Sequence, residues 1–184
     1  MAELQVAFVC TGNRFRSPLA AALLARDAEG LPLRIVSLGT LDLGSKAALP
    51  EAVAIAHELG LDLSGHASRN LASVDLEPFD LVLGFERKHV MASVVEAHAL
   101  VERTFTLPEL VPLLRRLPGP PLPADRVERA QVRIRQAHAA RPPGFRNGPM
   151  PELGDPLGKT LQAQRQTAAE LSQLVSELAV ELFD

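Results

Sequence analysis

The stretch Leu4–Cys10, LQVAFVC, is an apolar run of strand character that stops at a cysteine, and the helical pattern SPLAAALLARDAEG opens after only six intervening residues. A strand that feeds a helix through so short a loop is the first half of a βαβ crossover, which makes the next strand parallel to the first. The alternation continues. LRIVSLG, FDLVLGF and the shorter RTFTL read as strands, and LPEAVAIAHELG and ERKHVMASVVEAHAL read as the helices between them. In the first helix Ser17 stands where a cap is expected, Pro18 falls in the first turn and Gly30 lies just past the end. The pattern predicts an α/β fold: an open four-stranded parallel sheet with helices on both faces and an anion-binding loop after the first strand.

A chain of 184 residues with 47% hydrophobic and 22% charged composition is long enough to bury a core and short enough for one domain spanning 1–184. No apolar stretch approaches the roughly 20 residues that cross a bilayer, so no membrane partner and a cytoplasmic location are expected. Cys10 is the sole cysteine. It forms no intramolecular disulfide and no cysteine-based zinc cluster, and no metal or cofactor is expected. The net charge of -3, the 4% aromatic content and the lack of Trp and Tyr argue against a nucleic-acid partner.

The C-terminal third is organised differently, and residues 112–150 read as an inserted Pro/Arg-rich helical segment. The Pro-rich break LPGPPLP, 117–123, precedes a pattern in which Val127, Ala130, Ile134 and Ala137 recur at helical spacing. From Arg115 to Arg146 the chain carries eight arginines (Arg115, Arg116, Arg126, Arg129, Arg133, Arg135, Arg141 and Arg146) against Asp125 and Glu128, a local balance of +6. A basic lid beside the site, steering anionic substrates, is one expectation, and a solvated helix covering the sheet is the other. A final helix carries Leu171, Leu174, Val175, Leu178 and Leu182 on one face.

The loop CTGNRFRS joins a cysteine ending a strand, an arginine six positions later and a serine opening a helix. Gly12 is expected to let the backbone turn so that successive N–H groups point inward, and Arg16 offers a planar fork for two oxygens of a phosphate. The helix terminus and Arg16 favour the thiolate of Cys10. The alternative for Cys10 is a small buried hydrophobe.

These residues resemble the low-molecular-weight protein tyrosine phosphatase family, whose signature is Cys-x-Gly-Asn-x-x-Arg-Ser-Pro. Cys10, Gly12, Asn13, Arg16, Ser17 and Pro18 match it. The resemblance continues through VSLGT, GLDLSGHASRNL and FDLVLGFERKHV to GDPLG, the family's Asp-Pro loop. It implies a phosphomonoester hydrolase acting on a phosphorylated protein or a small phosphate ester. By the same resemblance Cys10 is the nucleophile that forms a phosphocysteine, Arg16 binds the equatorial oxygens and Asp155 is the acid, then the base. Thr11, Gly12, Asn13, Arg14, Phe15 and Ser17 are the implied substrate-binding loop, with Ser17 able to donate to the sulfur. Asn13, Ser37, His66 and Glu86 are implied to brace that loop, Glu86 standing where the family usually has aspartate. Glu152 and Asp42 are the reserve candidates for the acid. His57, His89, His98 and Ser73 are read as surface residues without partners.

Several positions depart from the family pattern. Phe15 stands where many relatives have a second cysteine, which removes a protective disulfide with Cys10. Arg14 replaces an apolar residue or threonine, TLDLGSK lacks a flanking aromatic, and Leu157 and Gly158 replace tyrosines. Phosphotyrosine hydrolysis is therefore expected first. Phosphoarginine hydrolysis, or single-cysteine arsenate reduction with an external small thiol, are the alternatives.

Overall fold

The computed structural model describes residues 3–117, 123–145 and 148–184. Strands β1 (Leu4–Cys10), β2 (Leu33–Gly39), β3 (Leu81–Gly84) and β4 (Thr104–Thr106) form one parallel sheet in the order β2-β1-β3-β4. Helices α1 (Arg16–Asp27), α2 (Pro50–Glu58), α3 (Arg87–Ala97), α4 (Leu107–Arg116), α5 (Arg126–Ala139) and α6 (Leu161–Phe183) cover it. The predicted α/β class, strands and parallel pairing are all present. β1 is central, paired with β2 on one side and β3 on the other, so the chain reverses its direction of sheet growth beside Cys10. Ligands bind at that switch point in open α/β sheets.

Alternation along β1 divides the core. Leu4, Val6, Phe8 and Cys10 face the larger layer with α1, α2, α4, α5 and α6. Ala7 and Val9 face a smaller layer containing Val36, Leu38, Leu71, Val82 and Ala97, closed by α3. The apolar stripe predicted for the last helix is real, with Leu171, Val175, Leu178 and Leu182 buried.

α4 was not predicted, because Pro108 and Pro112 interrupt its pattern. Thr106 nevertheless builds a reciprocal capping box with Glu109: its Oγ1 accepts from the Glu109 N–H at 3.2 Å, and its own N–H donates to Glu109 Oε2 at 3.3 Å. The expected serine cap of α1 is also absent. Phe15 occupies the N-cap without a side-chain cap bond, and Ser17 sits one residue inside the helix with its hydroxyl turned toward Cys10 and Leu38.

The α5 helix of the insert does not lie over the site. α5 packs on α4 and α6, burying Val127, Ala130, Ile134 and Ala137, and Gln131 Nε2 donates to Asp80 just ahead of β3. That is the amino end of the strands, opposite Cys10. Two of its arginines are engaged there: Arg129 donates to the carbonyls of Phe183 and Asp184, and Arg133 to Leu114 O and Glu181. Arg141 forks onto Glu109 at 2.9 and 3.0 Å and lies 3.8 Å over the Phe105 ring. Arg146 lies outside the described residues.

Candidate active site

The strand end at Cys10 runs into the loop 11–15, and the loop is held by packing against a neighbouring glycine. A Cβ on Gly39 would lie 3.0 Å from Asn13 Cβ, Asn13 N and Thr11 O, so a side chain at the end of β2 would crowd this approach. The expected turning residue was Gly12, but the left-handed position belongs to Asn13, with φ 52°. Asn13 holds that conformation through its side chain. Nδ2 donates to Ser17 Oγ and Ser37 Oγ, each at 2.9 Å, and Oδ1 accepts from the Arg69 N–H at 2.8 Å. His66 Nε2 meets the Asn13 carbonyl at 2.6 Å. Burial lowers the His66 pKa, against the opposing effect of that hydrogen bond, and the nearby Arg69 charge lowers it further.

The sulfur of Cys10 is buried and faces a hydroxyl and a backbone N–H. Ser17 Oγ is 3.0 Å away, and the Asn13 N–H points at Sγ over 3.2 Å. Both contacts suit a negatively charged sulfur. Thr40 N–H and Leu41 N–H donate to the carbonyls of Cys10 and Thr11 at 2.9 Å, which ties the loop to the segment after β2.

Arg16 is 1% exposed and bound on both sides of its guanidinium. Nη1 reaches Glu86 Oε1 at 2.6 Å and Leu153 O at 2.9 Å, while Nη2 meets Asp155 Oδ2 at 2.7 Å. Its plane lies 5.7 Å from the Phe85 ring centre. Burial alone would raise the Glu86 carboxyl, but the hydrogen bonds from Lys88 and Arg16 outweigh it and hold Glu86 below its ordinary value. Asp155 reaches Arg16 because residues 151–153 are strapped to the carboxyl ends of β3 and β4. Pro151 O accepts from Thr106 Oγ1 at 2.7 Å, Glu152 Oε1 from the Arg87 N–H at 2.8 Å, and Leu153 N–H donates to Phe85 O at 2.8 Å. Glu152 is thus a strap residue, and Asp42 binds the Gly44 N–H within its own turn.

A cavity of about 200 Å³ opens above the sulfur, lined by Cys10, Thr11, Gly12, Arg14, Phe15 and Arg16 together with Asp155 and four leucines, Leu41, Leu43, Leu49 and Leu157. Ser37, His66 and Glu86 support it from outside. Arg14 does not simply point to solvent. Its Nε donates to Ala47 O at 2.7 Å and its carbonyl accepts from Leu49 N–H, which fixes the side chain along the rim.

The expectation for His89 was wrong. It is fully buried and joins the loop to α3. Ser73 and His98 are exposed, as expected, and the fold supplies partners the sequence did not show: Ser73 Oγ donates to Asn70 O, and His98 lies 3.5 Å from Asp75. Leu153, whose carbonyl holds Arg16, carried no signal in the sequence.

The sequence profile of the low molecular weight phosphotyrosine protein phosphatases matches residues 5–117, from β1 through α4. The chain belongs to this family. Along nearly its whole length, 97% of both chains, it is 28% identical to the protein-arginine-phosphatase of Bacillus subtilis. It is 38% identical to the low molecular weight protein-tyrosine-phosphatase Wzb of Escherichia coli over 45% of this chain and 54% of Wzb. Among solved structures, the low molecular weight protein tyrosine phosphatase of T. tengcongensis superposes with a TM-score of 0.69 at 28% identity, covering 97% of this chain and 99% of its own. This phosphatase family is cysteine-based.

Proposed function

We propose that the chain hydrolyses phosphate monoesters on protein side chains, phosphotyrosine first, with Cys10 as nucleophile, Arg16 as oxyanion clamp and Asp155 as acid and base. The observation that carries this is the convergence of three groups on one cavity: the sulfur facing Ser17 Oγ and the Asn13 N–H, the buried fork of Arg16, and the Asp155 carboxylate 2.7 Å from that fork. In the first step the Cys10 thiolate attacks phosphorus, the S–P bond forms as the ester P–O bond breaks, and Asp155 gives its proton to the leaving oxygen. In the second step Asp155 takes a proton from water as its oxygen attacks phosphorus, and the S–P bond breaks. Ser17 and the Asn13 N–H stabilise the departing sulfur. A reducing, cytoplasmic setting would keep Cys10 in the reduced form that this cycle needs.

The leucine walls suit an aromatic leaving group, and the guanidinium of Arg14 on the rim suits an anionic neighbour. Full-length likeness to a protein-arginine-phosphatase supports phosphoarginine as a second substrate class. Arg14 opposes it, since a cationic leaving group would be brought beside a fixed cation. Arsenate reduction ranks last, because it has no use for an acid placed like Asp155.

Purified protein should hydrolyse p-nitrophenyl phosphate in the presence of EDTA, with inorganic phosphate and vanadate competing. Cys10→Ser should abolish turnover and keep phosphate binding. Turnover at the wild-type rate in Cys10→Ser would refute the nucleophile assignment.

A further inference from the structure

We propose that His89 is a positioning residue of the phosphate-binding loop and acts through Thr11, an inference that rests on the phosphatase reading of the Cys10 cavity. His89 lies at the third position of α3, 78 residues from Thr11 in sequence, and its Nε2 is 3.0 Å from Thr11 Oγ1. On the other side of the ring, Nδ1 faces the N–H groups of Phe85 and Glu86 at 3.3 and 3.1 Å. A ring nitrogen met by two donors holds no proton, so the tautomer is assigned with its proton on Nε2, and that N–H donates to Thr11 Oγ1. The opposite assignment, Thr11 donating to Nε2, would drive an Nδ1 proton against two N–H groups.

The fold is built to allow this approach. A Cβ on Gly84 would lie 2.9 Å from His89 Cβ, so the end of β3 needs glycine for α3 to come close. Burial, and then the positive charge of Arg16, push the imidazole down to about 4, which keeps the neutral tautomer at neutral pH. Thr11 is consequently held from two sides, its hydroxyl by His89 and its carbonyl by the Leu41 N–H at 2.9 Å. Because the peptide unit is planar, fixing the Thr11 carbonyl also fixes the direction of the Gly12 N–H in the cavity wall. Loop donors are thereby oriented before an anion arrives, the arrangement that lowers the cost of binding developing charge.

Three variants and one double variant test this. Thr11→Val deletes the acceptor. His89→Asn keeps an oxygen near the Nδ1 position for the two backbone donors but does not reach Thr11. Each should lower kcat/KM for p-nitrophenyl phosphate by about tenfold and raise the vanadate inhibition constant by about the same factor, since the loop contacts anion in both ground and transition states. The double variant should be no worse than either single one, because one bond is lost in all three cases. Thr11→Ser, which retains the oxygen, should recover most of the loss, whereas a purely structural role would lower thermal stability and leave kcat/KM of the folded protein unchanged. The same series in a Cys10→Ser background, with inorganic phosphate binding followed by calorimetry, needs no turnover. An inactive wild-type protein would defeat the phosphatase reading alone. Wild-type phosphate affinity in both Thr11→Val and His89→Asn, or losses that simply add in the double variant, would overturn the role of His89.

Discussion

The carboxylate of Asp155 meets the guanidinium of Arg16 at 2.7 Å, Oδ2 to Nη2, with the arginine side chain 2% exposed and the acid 36% exposed. The acid of the Asp-Pro loop thus occupies a donor that a phosphate oxygen would also use. Under the proposed hydrolysis, substrate and acid would compete for one face of the fork, and binding of the first would release the second toward the ester oxygen.

Asp155→Ala should show both sides of this competition. Without the carboxylate, inorganic phosphate should bind several-fold more tightly. At the same time kcat should fall about 10²-fold or more for a phenol of high pKa and much less for p-nitrophenol, which leaves without full proton donation. Inhibition constants for phosphate and a leaving-group series measure the two effects. Equal losses across the series would reduce Asp155 to a loop-shaping residue.

Arg14 should decide which leaving groups are accepted. Its Nε is committed to Ala47 O, and among the described residues its terminal nitrogens bond no protein group. Arg14→Thr should lower kcat/KM for a phosphotyrosine peptide with flanking acids by about five- to tenfold, the scale of one charge-assisted contact. It should raise activity toward phosphoarginine. A peptide panel with and without acidic neighbours checks the direction, and the difference should shrink as salt is added.

Acid should destabilise the fold before the ordinary carboxylates account for it. His89 has its folded pKa lowered to about 4, so the native state binds fewer protons than the unfolded chain between there and the ordinary histidine value of 6.5. Stability is therefore complete above about 6.5, falls with decreasing pH, and levels off below the folded value, for a total of about 3 kcal/mol. Glu86, lowered from 4.5, adds a further loss of the same sign as pH drops through its own range. Urea unfolding at pH 7, 5.5 and 4.5 should show the decline, and His89→Asn should flatten it.

Arg141 should matter to the fold and not to catalysis. It forks onto Glu109, donates to Val101 O and Thr104 O, and stacks over Phe105, all at the start of β4 and α4. Arg141→Met leaves the part-buried Glu109 carboxylate with the Thr106 N–H as its remaining partner, at a cost of about 1–3 kcal/mol. Chemical denaturation measures the cost, and kcat/KM of the folded fraction should be unchanged. Charge reversal at Arg129 and Arg135 should likewise leave kcat/KM unaltered at low salt, since α5 lies at the far end of the sheet.

Some of these roles were open to inspection of the chain and others were not. The interval from Cys10 to Arg16 is local: a strand end, a loop and a helix start within seven residues hold both groups, so their juxtaposition follows from short-range geometry. The helix α4 was legible as well, in the pair Thr106 and Glu109, but its prolines masked it. His89 was not legible. Its helix opens with Glu86, Arg87 and Lys88, which read as a solvated end, and only the packing of α3 against Gly84 turns the imidazole inward.

What the sequence determines by itself is the four strands and the helices other than α4, their parallel pairing and the identity of a cysteine-arginine anion loop, because period, capping and turn chemistry act over a few residues. Tertiary structure alone decides which charges meet. The arginines of the insert count as a basic patch along the chain, yet the folded protein spends Arg129, Arg133 and Arg141 on carbonyls and acids 19 to 55 positions away. Asp155 becomes a partner of Arg16 only through the strap at 151–153, and Thr11 a partner of His89 only through α3. Such pairings depend on where the chain returns in space, which local physical chemistry does not encode.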